Sequence, residues 1–257
     1  MIGKGLGLGQ RAALREYILT LADDELVLGH RDSEWCAFAP LIEEDVAFAS
    51  IAQDEMAHAA LLYGLLEEDE AERDALAFGR DGRGMRSAVL LERPNGDWAY
   101  SLVRHHVYDI ADDLRTGDLL ESKEPLLRAA AERMRREERY HLAHGRSWLS
   151  VLAAGGACSR ERLERAVDSV AADSYDLLRP LAWEGALVAA GALPRAPSRL
   201  WDRFVERVGA EVCAPLGLAF HPPTHAPRGR EGEHSAAMDD LLRTMSEVYR
   251  SDPRAVW

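Results

Sequence analysis

Glu55-Met56-Ala57-His58 and Glu138-Arg139-Tyr140-His141 repeat one pattern, Glu-x-x-His, inside two long segments whose apolar residues recur at helical spacing. On a helix this pattern sets a carboxylate and an imidazole one turn apart on the same face, close enough to grip one metal ion. Two copies imply two ions.

The surrounding residues decide which way each pair points. Steps of three and four from Phe48 reach Ile51, Glu55, His58, Leu62 and Leu65, and from Leu127 they reach Ala131, Met134, Glu138 and His141, with Trp148 two turns on. Both polar pairs therefore interrupt apolar stripes and face a core. A buried carboxylate needs a partner, a proton or a metal ion to offset its desolvation.

Two further helices supply one lone carboxylate each. Leu14, Ile18, Leu21, Glu25 and Leu28 form the inward stripe of a helix expected over residues 11–30, and Glu25 is its only charge. Thirty residues separate Glu25 from Glu55, and twenty-nine separate Asp109 from Glu138. Asp112, Asp113, His105 and His106 lie within a turn of Asp109, so several groups could serve there; the spacing favours Asp109, with Asp112 as the alternative. One carboxylate followed by Glu-x-x-His, twice over, is the ligand layout of ferritin-like di-iron or di-manganese bundles. The expected ligands are Glu25, Glu55, His58, Asp109, Glu138 and His141, holding two iron ions, with manganese possible. The competing arrangement is a metal-free bundle in which buried Glu–Arg or Glu–His pairs, with Arg31 or Arg139 as partners, replace the ions.

With 257 residues, 47% of them hydrophobic, the chain has enough material for one sizeable core, and a single helical domain is expected. A net charge of −13, with both signs interspersed, argues against a nucleic-acid partner and for an acidic cytoplasmic protein. Cys36, Cys158 and Cys213 are too scattered for a disulfide framework or a thiolate zinc site. Cys36 is expected to be buried beside Trp35, and Trp35, Trp98 and Trp148 to be core or interface aromatics. Met1 to Gly9 reads as a loose glycine-rich arm, and the apolar run Leu181 to Leu193 is too short to span a bilayer, so no membrane association is expected.

Further helices are expected over about 40–68, 98–117 and 125–153, with Ser122 as a cap for the last. Residues 67–84 and Pro94-Asn95-Gly96-Asp97 read as loop and turn. A C-terminal annex of about 160–257 adds helices near 161–178, 182–190, 198–212 and 234–250 around an irregular stretch, 215–232. With no strand-like alternation, the class is all-α: a ferritin-like four-helix bundle, core about 11–153, with additional C-terminal helices. Arg133, Arg135, Arg136 and Arg139 read as a solvated helix face, with a nucleotide or partner contact as the other reading. There is no Rossmann glycine fingerprint and no iron–sulfur cysteine set, so electrons would come from another protein.

Several stretches also resemble a known family. Leu21-Ala22-Asp23-Asp24, Leu28-Gly29-His30-Arg31, Ser33-Glu34-Trp35-Cys36 and Ala39-Pro40 look like the opening of the PaaC subunits of bacterial phenylacetyl-CoA epoxidase. The similarity resumes at Leu76-Ala77-Phe78, Arg80-Asp81, Glu92-Arg93-Pro94-Asn95-Gly96, Arg139-Tyr140-His141-Leu142 and Trp148-Leu149, and ends at Trp257. The resemblance implies a ferritin-like fold and a place in a multicomponent monooxygenase that epoxidises the ring of phenylacetyl-CoA. It also implies a PaaA-type subunit holding the catalytic di-iron centre, a separate NADPH-dependent reductase, and homo- or hetero-oligomeric assembly. PaaC-type subunits typically lack part of the ligand set, whereas positions 25, 55, 58 and 138 here carry Glu, Glu, His and Glu. Two other readings stay open: a metal-free scaffold for a catalytic partner, and a free-standing di-iron oxygenase or peroxidase.

Overall fold

Helix α1 (Leu8–Ser33) begins earlier than its apolar stripe predicts, because Gly7 donates its backbone N–H to the Gln10 side chain at 3.0 Å and closes the first turn. Part of the expected glycine-rich arm is thus helical. The computed structural model describes residues 2–225, 228–253 and 255; Trp257, where the family resemblance ends, lies outside them. The chain forms two compact units, Met1–Pro94 with Pro227–Trp257, and Asn95–Ala226.

In the first unit, α1 packs along α2 (Ile42–Leu66). Gly29 makes the close approach possible, since a Cβ there would meet Glu55 Cβ at 3.0 Å and the Ala52 carbonyl at 3.1 Å. The intervening turn runs through Ala37 at φ 70°, a left-handed conformation held by an N–H bond from Ala37 to Asp45 Oδ1 at 2.5 Å. That turn carries Cys36 to the surface, so its expected burial is not found. Inside the stretch read as loop, α3 (Glu70–Phe78) forms with Asp69 accepting from the Glu72 N–H at 3.2 Å. A short α4 (Val89–Glu92) follows.

Every residue from Tyr17 to Gly29 is buried, not the inward stripe alone. Asp23 accepts from Tyr63, from the Arg80 guanidinium and from the Arg86 N–H, and Asp24 from Arg230 and the Ala88 N–H. Arg230 belongs to the C-terminal return, where Glu92 also accepts from the Ser235 N–H at 2.6 Å.

The second unit opens with the expected turn: Gly96 takes φ 61°, and Asp97 caps α5 (Trp98–Leu119) by accepting the Tyr100 N–H at 3.0 Å. Helix α6 (Pro125–Ala153) has the expected bounds, with Pro125 in its first turn. Ser122 accepts from the Glu124 N–H at 3.0 Å and donates to the Ala192 carbonyl at 2.7 Å, bracing the entry to α6. Helices α7 (Ala157–Asp173), α8 (Glu184–Ala190) and α9 (Trp201–Val208) complete the unit, and residues 101–112 of α5 are all buried. Trp98 and Trp148 meet edge to face at 5.6 Å, and Arg135 pairs with Asp113 at 2.8 Å while Arg133, Arg136 and Arg139 are exposed.

The last predicted helix is two, α10 (Ala236–Met245) and α11 (Glu247–Ser251), parted at the buried Ser246. Among the described residues no strand forms, only an isolated bridge between Arg228 and Glu233, so the class is all-α, as a ferritin-like chain requires.

Candidate metal centre

In the first unit, α1 and α2 bring three expected ligands together. His58 Nδ1 stands 3.4 Å from Glu25 Oε2 and 3.7 Å from Glu55 Oε2, and each of the three side chains offers a ligand atom within 4.8 Å of the others. All three are buried. Burial, with the Glu55 carboxylate beside it, raises the Glu25 pKa to about 8. For His58, burial works against the charge, but bonding to and the charge of Glu25 and Glu55 outweigh it and push the imidazole up to about 12. Without an ion, protons balance the negative charge.

In the second unit, α5 and α6 gather a second group. His105 Nε2 lies 3.2 Å from Asp109 Oδ1, His106 Nδ1 3.8 Å from Asp109 Oδ2, and His141 Nδ1 3.5 Å from Glu138 Oε1. His105, Asp109 and His141 offer ligand atoms within 4.8 Å of one another. Asp109 is fully buried, yet the surrounding imidazoles of His105, His106 and His141 outweigh burial and hold it below the usual carboxylate range. Asp112, one turn on, accepts from Arg115 at 3.1 Å.

The donor chemistry fits a divalent ion of the iron or manganese kind. Each group combines carboxylate oxygens with imidazole nitrogen and is buried. The arginines named as rival partners lie elsewhere: Arg139 is exposed, and Arg31 donates to the Glu92 carbonyl and to Glu34.

Residues 7–257 match the family described as Phenylacetic acid catabolic protein. The chain belongs to that family. It is 32% identical to the C-type subunit of the 1,2-phenylacetyl-CoA epoxidase of Escherichia coli (strain K12) over 258 aligned positions, covering 95% of this chain and 99% of that protein. The resemblance read in its Glu-Trp-Cys and Pro-Asn-Gly stretches is thereby borne out along its length.

For this member of the phenylacetic acid catabolic family, sequence reasoning named His105 only as a neighbour of Asp109. Its position four residues before Asp109, on the same helical face, was the available signal. The buried Asp23 and Asp24 network is not legible in the sequence, because its partners, Arg80 and Arg230, are distant along the chain. No helix among the described residues is long and apolar enough to cross a membrane.

Proposed function

We propose that this chain is the C-type subunit of a multicomponent phenylacetyl-CoA epoxidase and retains a metal centre of its own. It acts as one helical domain in the cytoplasm, with a PaaA-type partner, a reductase that supplies electrons and a CoA-thioester substrate. Glu25, Glu55 and His58 serve one ion, and Asp109, Glu138 and His141 a second. What carries the reading is the burial of a carboxylate beside Glu-x-x-His in each unit, within a chain alignable end to end with a C-type epoxidase subunit.

Iron, when bound, supplies redox chemistry with dioxygen that no side chain provides. The chain's own groups bind and orient: α1 and α5 present one carboxylate face each, and α2 and α6 present the Glu-x-x-His faces. Leu62, one turn after His58, and Met134, one turn before Glu138, are buried on the same helical faces and would help to exclude water there. Glu25 and His58 hold the protons that an ion displaces.

Anaerobic purification followed by iron and manganese analysis should return about two equivalents per chain, and Glu138→Ala should lose metal. Trace metal in wild type, unchanged in the variant, would leave a metal-free scaffold. Oxygen consumption with phenylacetyl-CoA should then require both the PaaA-type partner and the reductase; turnover by this chain with a reductase alone would make it a free-standing oxygenase.

A further inference from the structure

We infer that His105 is a further metal ligand, so that the second unit grips its ion with two imidazoles, His105 and His141, and the Asp109 carboxylate, beside Glu138. The inference rests on the metal reading above and deepens it. His105 and Asp109 lie four residues apart on one face of α5, and His141 comes from α6, so two elements aim three donors at one point.

The distances are those of donors sharing an ion. His105 Nε2 and Asp109 Oδ1 are 3.2 Å apart, and ligand bonds of ~2.1 Å place neighbouring donors at about 3.0 Å in octahedral and about 3.4 Å in tetrahedral geometry. Asp109 is fully buried, and the approach of His105 to it is one that an imidazole and a carboxylate bound to the same ion would make. The His105 and His141 rings are 5.8 Å apart, centre to centre. Two imidazoles on one ion, each with its centre about 3.2 Å from the metal, can reach that separation. His106, the adjacent histidine, is turned otherwise: its ring lies against Gly145, and its Nε2 faces Glu211 at 3.9 Å.

An Asp at residue 109, one methylene shorter than the Glu of a di-iron bundle, would leave room for an imidazole from one turn back. The two ions then differ in kind: the first unit offers two carboxylates and one imidazole, the second two carboxylates and two imidazoles. Sites that differ by one imidazole differ in affinity for the same metal.

Anaerobic titration of metal-free protein with Co(II), followed by visible absorption, should show two steps in wild type. In His105→Gln one step should persist, while the other weakens at least about tenfold. X-ray absorption on the wild-type Co(II) protein gives a second measurement that needs no variant: three imidazoles per two cobalt ions with His105 bound, two without. Wild type taking up no Co(II) would overturn the metal reading and this inference with it. Two cobalt ions bound with two imidazoles, unchanged in His105→Gln, would overturn the role of His105 alone and leave the centre standing.

Discussion

Gly145 is a residue whose importance no periodicity reveals. A Cβ there would stand 2.3 Å from His106 Nδ1, so Gly145→Ala must displace a buried ring or the helix that carries it. The expected cost is about 1–3 kcal/mol, read as a lower melting temperature by calorimetry. Gly185→Ala, where nothing lies within 4 Å, should be neutral or slightly stabilising; equal losses in both would show that the ring contact is unimportant. Glu25 and His58 predict a pH dependence. The folded chain keeps the Glu25 proton up to about 8 while the unfolded chain releases it from 4.5, so this contribution to stability is lost as pH rises through that window. His58 acts in the same sense, from 6.5 towards about 12. Asp109, its pKa depressed, contributes stability above 3.8 that is lost only in stronger acid. Urea midpoints of metal-free protein should therefore fall as pH rises from 4.5 to about 8, and the gain on adding metal should grow; a rising metal-free midpoint would contradict both shifts.

At the scale of elements, α1 departs most from its sequence reading. Its apolar stripe predicts one buried face, whereas the C-terminal return and residues 80–88 cover the opposite one and meet Asp23 and Asp24 with guanidinium and backbone N–H groups. Removing Arg230 leaves a buried carboxylate short of its countercharge. Arg230→Met should cost about 3–5 kcal/mol in chemical denaturation, and Asp24→Asn in the same chain should recover part of it. Additive losses would mean the two do not act as a pair. Helix α3 was illegible for a different reason: its acidic run resembles a solvated loop, and only the Asp69 cap and its contact with α2 make it a helix.

At the scale of the molecule, the question is which surface meets other subunits. Phe38, Leu41, Ile42 and Val46 are exposed around the start of α2 and form an apolar run beside Glu43. Under the proposed function, exposed apolar residues of this kind are where another subunit would dock. Ile42→Glu should weaken co-elution with a PaaA-type subunit at least about tenfold without changing the melting temperature of the isolated chain. Undiminished co-elution would place the contact elsewhere.

Sequence alone determined the all-α class, the long helices and the inward direction of both Glu-x-x-His pairs, because helical periodicity is local and can be read residue by residue. The family was legible too, in short motifs spread along the chain. Only tertiary structure decided which carboxylates meet which bases: Asp23 with Arg80, and Asp24 with Arg230. Those contacts depend on where remote segments cover a helix, and a buried charge is stable only where such a segment brings it a partner.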